Sequence, residues 1–268
     1  MPTFRVTVAY DGTDFVGWQR QTSGTSVQGL LEDALRALDG RAVAVAGAGR
    51  TDAGVHALAQ VAAFTLERSL QPDAVVRALN ARLPDAVRVL TADEVPHSFN
   101  PRLDARAKTY RYRISNADML SPFERHYAWH LPGVLDVEAM RHAAPGLEGT
   151  HDFAAFQSAG TDVATTVREV VLSTITTEST GLHGAADGKE FGGGVLITYE
   201  VTGTGFLRHM VRAIVGSLVE IGRGRRPVEW LAHVLESRDR TKAGPTAPAH
   251  GLFLVGVAYG DRGPRNAR

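Results

Sequence analysis

The sequence predicts an α+β fold with two related halves that divide near residue 100. Three observations predict it: apolar residues alternate with period two in several short runs, they recur at helical spacing in others, and in the first half these runs follow the order β-α-β-β-α-β. That order is typical of a ferredoxin-like, or split-βαβ, arrangement. We expect domains at residues 1–100 and 101–268, with antiparallel sheets joined into a larger sheet around a central cleft.

The first half opens with an alternating strand, Phe4–Tyr10, that ends at the turn signal Asp11-Gly12. Thr25 or Ser26 can cap a helix from Val27 to about Leu38, and Gly40 ends it. The remaining predicted elements are a strand at Ala42–Ala46, a strand at Ala59–Leu66, a helix from Pro72 to about Arg82 and a short strand at Val87–Leu90.

The second half begins with Lys108–Ile114, which alternates cleanly and predicts a strand. The glycine-rich and polar segment Thr180–Gly193 predicts a long hairpin tip, and Asp261–Arg268 predicts a frayed tail. The other predicted elements are a helix capped by Asp136 from Val137 to about Leu147, strands at Val167–Thr176 and Gly194–Val201, an amphipathic helix at Arg208–Ile221, a helix from Pro227 to Leu235 and a strand at Leu252–Tyr259.

Composition excludes several classes of protein. The 268 residues include no cysteine, which excludes disulfides, thiolate nucleophiles and cysteine-ligated zinc. No apolar run approaches the roughly 20 residues of a membrane span, and the N-terminus lacks the pattern of a secretory signal. We therefore expect a cytoplasmic protein without a membrane segment.

Basic residues concentrate in two windows although 29 basic and 29 acidic residues balance over the chain. Residues 102–113 and residues 205–226 each carry five basic residues against one acid. Such a run is also common on a solvated helix or strand face. Two of them in a neutral chain favour a local binding site for a polyanion such as nucleic acid.

The most informative carboxylate is Asp52, between Arg50 and Gly54 in the string from Ala48 to Ala57. An apolar run precedes the string, so the pattern indicates a strand that delivers an acid to a tight turn. Such an acid is either a structural cap of backbone amides or a nucleophile beside an arginine.

Cofactor and metal motifs fail at specific positions. Gly47-Ala48-Gly49 has Asp52 where a dinucleotide fingerprint needs its third glycine, and Gly203-Thr204-Gly205 has Arg208 there. No second loop exists to complete an aspartic-peptidase pair. The histidines lack metal-ligand spacing. We expect no metal and no nucleotide cofactor.

The string from Gly49 to Ala57 resembles the catalytic loop of the TruA-type pseudouridine synthases, which isomerise uridines in the anticodon arm of transfer RNA. Four further segments, in the same order as in that family, carry the resemblance over nearly the whole chain. They are Tyr10-Asp11-Gly12 with Gly17 to Gln21, Tyr110-Arg111-Tyr112, Phe206 to Arg212 with Ile214-Val215-Gly216, and Gly251-Leu252-Phe253-Leu254.

The resemblance implies a cofactor-free isomerase that converts uridine to pseudouridine in the anticodon stem-loop, with Asp52 as nucleophile. Attack at C6 of the base and attack at C1′, or elimination through a glycal, are all compatible with the sequence. The resemblance also implies a homodimer, with the two basic windows bound to the phosphates of the RNA.

The resemblance implies roles for four further residues. Arg212 would pair with Asp52 and keep it ionised, although a residue at this position could also be a solvated helix residue. Tyr110 would stack on the extruded uracil, and its hydroxyl could assist removal of the C5 proton. Leu252 would form an apolar floor under the base, and Arg50 would contact the target nucleotide.

Two alternatives belong to other functional classes. A non-catalytic RNA-binding module could share the basic strands and aromatic residues, but it would have no need for Asp52 in a phosphate-rich site. A metabolic enzyme that uses the glycine-rich turns is the third hypothesis, and binding of nicotinamide cofactors would distinguish it.

Overall fold

The computed structural model describes residues 1–158, 160, 163–183 and 190–260, with side chains omitted from description at 181–183 and 190–192. The chain divides into two compact units. The first comprises Met1–Lys108 and the segment from Leu254 onward, and the second comprises Thr109–Phe253. The predicted tail at Asp261–Arg268 lies outside the described residues.

The first unit is an antiparallel sheet with two helices. Strand β1 pairs with β3 on one side and with β4 on the other, and β2 pairs with β3. The last strand of the chain, β10, also lies next to β3, on the side away from β1. The elements are β1 (Thr3–Tyr10), α1 (Val27–Asp39), β2 (Ala46–Gly47), β3 (His56–Thr65), α2 (Pro72–Asn80), β4 (Val87–Val95) and β10 (Leu252–Tyr259).

Local signals set the ends of helix α1. The side chain of Ser26 accepts a hydrogen bond from the backbone of Gly29, so Ser26 rather than Thr25 is the cap. Gly40 adopts φ 80° at the other end, the left-handed conformation that glycine tolerates best. The predicted helix is confirmed.

The predicted strand at Ala42–Ala46 is wrong, because the strand covers only Ala46–Gly47. Val43 and Val45 are nevertheless buried, while Ala42 and Ala44 are exposed. The alternation in the sequence therefore records one-sided packing of an extended segment and not a ladder of strand hydrogen bonds.

The second unit contains a sheet in the order β5-β9-β8-β7, in which short strand β6 runs parallel to β5. Both β7 and β9 are antiparallel to β8. The elements are β5 (Ala105–Ala117), β6 (Trp129–His130), α3 (Val137–Ala143), β7 (Gly149–Asp152), β8 (Val167–His183), β9 (Glu190–Gly203), α4 (Met210–Gly222) and α5 (Trp230–Ser237).

The predicted hairpin tip at Thr180–Gly193 is wrong at both ends. Strand β8 continues to His183 and β9 begins at Glu190, with Leu182 opposite Phe191. Paired strands reach further than glycine content suggests, because ladder hydrogen bonds come from the backbone. Residues 184–189 lie outside the described part of the chain.

Three predicted helix boundaries in this unit shift. Asp136 caps α3 as predicted, but the α-helix ends at Ala143 and continues to Leu147 as a 3-10 turn, since Pro145 lacks the N–H that the helix needs. The helix predicted from Arg208 starts at Met210. The one predicted from Pro227 starts at Trp230, after a turn in which the Trp230 N–H bonds to the Pro227 carbonyl.

Helix α4 forms the centre of the second unit's core. All its residues except Arg212 and Glu220 are buried, so burial extends beyond the single apolar face of the predicted amphipathic helix. At Gly216 an added Cβ would stand 1.7 Å from the carbonyl oxygen of Pro245, so the helix touches that segment by its backbone. None of the helices described here has the length and apolar character to cross a membrane.

Candidate active site

Asp52 lies in the loop of residues 48–55, between β2 and β3, which we name the Asp52 loop. Its side chain is half-buried, whereas Arg50 is exposed. Three backbone bonds fasten the loop: the Ala48 N–H to the Val61 carbonyl (2.8 Å), the Gly54 N–H to the Phe15 carbonyl (3.3 Å) and the Val55 N–H to the carbonyl of Asp52 itself (3.2 Å).

Thr51, immediately before Asp52, is fixed by two aromatic residues, Tyr10 and Trp18. Both belong to the first segment of the family resemblance, Tyr10-Asp11-Gly12 with Gly17 to Gln21, which we name the N-terminal signature. Its hydroxyl lies 2.8 Å from the hydroxyl of Tyr10, and its carbonyl accepts from the backbone N–H of Trp18 at 3.1 Å. The rings of Tyr10 and Trp18 lie 6.2 Å apart in a tilted arrangement. The N-terminal signature, which the sequence linked to Asp52 only by resemblance, is the direct support of its loop.

Glycine is required where this support approaches the loop. Gly17 has φ +108°, and a Cβ there would stand 2.5 Å from the Thr51 carbonyl oxygen. A Cβ at Gly12 would stand 2.0 Å from the Val55 carbonyl oxygen. Each backbone therefore passes too close for any side chain.

A buried histidine, His56, links the start of β3 to the turn that follows β1. The Nδ1 atom of His56 lies 3.0 Å from the backbone nitrogen of Gly12, which donates to it, and 3.1 Å from Oδ1 of Asp11. The same Asp11 oxygen accepts from the backbone and hydroxyl of Thr13. The start of β3 is thereby tied to the turn after β1.

In the second unit, Tyr110 lies on β5 and is buried. Its ring meets that of Phe206 edge to face, with centroids 5.1 Å apart. The neighbouring residues tie β5 to β9: Thr109 bonds to Thr202 at 2.9 Å, and Arg111 donates two hydrogen bonds to Glu200. The position of the Tyr110 ring is therefore set by strand pairing on both sides of it.

Arg212 extends from the first half of α4 and is anchored through its own backbone and side chain. Its Nε donates to the Ala247 carbonyl at 2.7 Å, and the Ala247 N–H donates to the Arg212 carbonyl at 3.0 Å. Tyr112 donates to the carbonyl of the next residue, Pro248, at 2.8 Å. Burial raises the pKa of Tyr112, and the charge of Arg212 opposes that rise. Leu252, a few residues on, is buried.

His209 occupies the N-cap position of α4 in the left-handed conformation, with φ 61°. Its Nδ1 lies 2.7 Å from the hydroxyl of Ser158, and its carbonyl accepts from Ala213. Left-handed backbone in a residue other than glycine costs free energy and is often found at functional sites. This left-handed residue explains why the helix starts at Met210, two residues later than the predicted start at Arg208.

Ion pairs occupy much of the two basic windows. Arg111 pairs with Glu200, Arg113 with Glu124, and Arg223 and Arg225 with Glu220. Arg226 lies over the ring of Trp230, 5.2 Å from its centroid. The windows are therefore less basic in the fold than in the sequence, while Arg102, Arg106 and Arg208 are exposed.

The structure places Asp52 and Arg50 in the first unit, and Tyr110, Arg212 and Leu252 in the second. The sequence did not predict that Tyr10, Thr51 and Gln60 are buried beside the Asp52 loop. Gln60 offered one signal, because it and Thr65 are the two polar residues in the apolar run Ala59–Leu66. Within the described residues, no three His, Asp or Glu side chains converge to hold a metal ion.

Comparisons with known proteins agree over most of the chain. A family model described as tRNA pseudouridine synthase matches residues 6–104 and 143–260. The chain is 47% identical to tRNA pseudouridine synthase A of Myxococcus xanthus, over 98% of this chain and 94% of the relative. It is 46% identical to the protein of that name from Pelobacter propionicus (strain DSM 2379 / NBRC 103807 / OttBd1), over 97% of this chain and 100% of the relative.

A third relative, tRNA pseudouridine synthase A of Geobacillus sp. (strain WCH70), is 43% identical over 95% of this chain and 97% of its own. A chain in the crystal structure of the archaeal box H/ACA sRNP Nop10-Cbf5 complex aligns over 90% of this chain and 60% of its own, with 12% identity and a TM-score of 0.31, which is too distant to support an argument. On the family model and the full-length relatives, the chain belongs to the tRNA pseudouridine synthase family and is an isomerase.

Proposed function

We propose that this enzyme isomerises uridine to pseudouridine in the anticodon stem-loop of transfer RNA, with Asp52 as nucleophile and without a cofactor. The observation that carries the proposal is the setting of Asp52: a half-buried carboxylate on a loop whose backbone is fastened before and after it. The substrate follows from the relatives, which bear the name tRNA pseudouridine synthase A over nearly their full length.

The reaction breaks the C1′–N1 bond of uridine, turns the uracil and joins C1′ to C5. The proton on C5 is lost, N1 gains one, and no electrons are transferred to another molecule. The Asp52 carboxylate either attacks C6 of the base or takes up the developing cation at C1′, directly or through a glycal. A carboxylate performs any of these steps only if it stays ionised.

Arg212 is the proposed partner that keeps Asp52 ionised. Its Nε bond to the Ala247 carbonyl fixes the plane of the guanidinium, which suits it to a two-point pairing with a carboxylate. In an apolar surrounding such as that of α4, a fixed cation stabilises the charged form of a nearby acid.

The remaining site residues would handle the base and the RNA. The Tyr110 ring packs nearly perpendicular to that of Phe206. It would stack on the extruded uracil, and its hydroxyl could assist removal of the C5 proton. Leu252 would lie under the base. The exposed Arg50 would contact the phosphate of the target nucleotide and help to offset the few kcal/mol that unstacking costs.

We further propose that the two domains, 1–100 and 101–268, are ferredoxin-like halves. In support, the first unit has the element order βαββαβ and the antiparallel strand order β4-β1-β3-β2. By resemblance to the family, the enzyme would act as a cytoplasmic homodimer that binds the anticodon arm with both subunits.

The test is release of tritium from transfer RNA labelled at C5 of uridine. Asp52→Asn should bind RNA, keep its melting temperature within a few degrees and lose at least about a thousandfold in rate, as expected when a nucleophile is removed. The control is Asp93→Asn, which removes a carboxylate of the same unit that pairs with Arg5. Undiminished release by the Asp52→Asn protein would overturn the assignment.

A further inference from the structure

The Asp52 loop rests on a small polar cluster that the reaction chemistry does not itself require. The cluster consists of Tyr10 at the end of β1, Thr51 in the loop and Gln60 in β3, and all three side chains are buried, with exposed fractions of 4%, 7% and 0%. Buried polar groups are costly unless they are paired. Their pairing partners therefore show what the cluster holds.

Two hydrogen bonds of the cluster hold the Asp52 loop. Gln60 donates from its amide to the Gly49 carbonyl at 3.0 Å, and its own carbonyl oxygen accepts from the Val61 backbone at 3.2 Å. Tyr10 bonds to the Thr51 hydroxyl at 2.8 Å. The loop is thus held at Gly49 and Thr51, on the chain just before Asp52.

The chemistry of these contacts favours one loop conformation over others. A hydroxyl pair and an amide-to-carbonyl bond act only over a narrow range of distance and angle, in contrast to apolar packing. Burial raises the pKa of Tyr10 to about 12, so its hydroxyl keeps its proton, and the bond to Thr51, at any pH near neutrality. Small displacements of a reacting group of about 1 Å lower rates by roughly a hundredfold.

We propose that Tyr10, Thr51 and Gln60 are positioning residues that hold the Asp52 carboxylate at the place where it meets the uridine. The inference rests on the proposed role of Asp52. The N-terminal signature would then serve the chemical step indirectly, because Tyr10 contacts the Asp52 loop through Thr51. Loss of the cluster should therefore slow the reaction without weakening RNA binding.

The experiment compares Tyr10→Phe, Thr51→Val and Thr51→Ser with the unchanged full-length protein, by tritium release from transfer RNA labelled at C5. Assays run well below the lowest melting temperature of the set. We expect kcat to fall by roughly tenfold to a hundredfold in Tyr10→Phe and Thr51→Val while KM changes less than about twofold. Thr51→Ser, which keeps the hydroxyl, should restore most of kcat.

A double variant of Tyr10 and Thr51 gives a second readout. The double variant Tyr10→Phe with Thr51→Val should be no slower than the slower single variant, because both changes remove the same bond. Two matched controls delete equivalent buried hydroxyls elsewhere: Tyr199→Phe, whose hydroxyl bonds Ser173 at 3.0 Å, and Thr3→Val, whose hydroxyl bonds Thr65 at 2.9 Å. Both should retain kcat.

The inference is overturned if Tyr10→Phe and Thr51→Val keep kcat within about twofold, if KM rises in place of the fall in kcat, or if the controls lose as much. Asp52→Ala in the same assay separates this failure from that of the proposed function. An inactive Asp52→Ala protein with normal Tyr10→Phe and Thr51→Val proteins overturns the positioning role alone. An active Asp52→Ala protein overturns both.

Discussion

The two proposed charged partners are held in contrasting ways. Asp52 is on a loop, and specific hydrogen bonds to Thr51, Gly49 and Gly54 fix the backbone around it. Arg212 is on a helix whose other residues, Glu220 excepted, are buried, and its Nε donates one hydrogen bond to the Ala247 carbonyl. The comparison teaches that a loop depends on a buried polar cluster to fix its backbone, whereas packing fixes the backbone of a buried helix and a single Nε bond then orients the side chain.

The largest difference should appear when each charged group is replaced by its nearest relative. Asp52→Asn removes the proposed nucleophile, and the tritium assay should show almost no turnover. Arg212→Lys keeps the charge but loses the planar two-point donor and the Nε bond to Ala247. We expect a rate lower by roughly a hundredfold, with RNA binding retained. Near-normal turnover by Arg212→Lys would show that Arg212 does not pair with Asp52.

Glycine substitutions test the two kinds of support directly. Gly216→Ala places a Cβ 1.7 Å from the Pro245 carbonyl oxygen in the α4 core and should lower the free energy of unfolding by about 3 kcal/mol. Gly17→Ala places a Cβ 2.5 Å from the Thr51 carbonyl oxygen at φ +108°. Denaturant titration and kcat should separate them.

We expect Gly216→Ala to lose mainly stability, and Gly17→Ala to lose activity out of proportion to its stability. Equal losses of both quantities in the two variants would contradict the contrast between loop and helix. Gly146→Ala is a suitable control, because an added Cβ there meets no atom within 4 Å and φ is not in the left-handed region.

The smallest effect concerns alkaline pH. Burial raises the pKa of Tyr10 to about 12, whereas tyrosine in an unfolded chain titrates near 10. The folded state therefore binds this proton more tightly. Its contribution, roughly 2–3 kcal/mol, is complete below about pH 10 and is lost between about pH 10 and 12.

Melting temperatures of the unchanged protein and Tyr10→Phe, measured from pH 8 to pH 11.5, test this expectation. The difference between the two proteins should shrink as the pH rises above about 10. Burial also raises the pKa of Tyr112 and of Tyr199 in the second unit, so both proteins lose stability there. A constant difference over the whole range would show that Tyr10 does not titrate with unfolding.

Local signals in the sequence predict elements well where one residue acts alone. Ser26 and Gly40 bound α1 as predicted, and β10 covers Leu252–Tyr259 as predicted. The predicted bounds of an element fail where contacts with a distant part of the chain determine them. The sequence favours a strand at Ala42–Ala46, but only Ala46 and Gly47 find partners in β3. The helix predicted to start at Arg208 starts at Met210, because His209 adopts the left-handed conformation before it.

The site shows the same division between chemistry and support. The string around Asp52 and the residues Arg50, Tyr110, Arg212 and Leu252 are predicted as a set from their motifs, and the family model spans all of these positions except Tyr110. The roles of these residues remain predictions. Nothing in the order of residues indicates that Tyr10 meets Thr51, because the two are 41 positions apart in the chain.

By itself, then, the sequence determined the α+β class, the order of helices and strands in the first half and the family, because turn residues, caps and periodicity act over a few positions. Only the tertiary structure decided which side chains support the Asp52 loop and how Arg212 is anchored. Those contacts depend on strands and helices that are distant in the chain and on exclusion of water from Tyr10, Thr51 and Gln60. These contacts and the exclusion of water arise only in the folded molecule. A hydroxyl or amide bonds to water in the unfolded chain, and it bonds to a protein partner once burial removes that water.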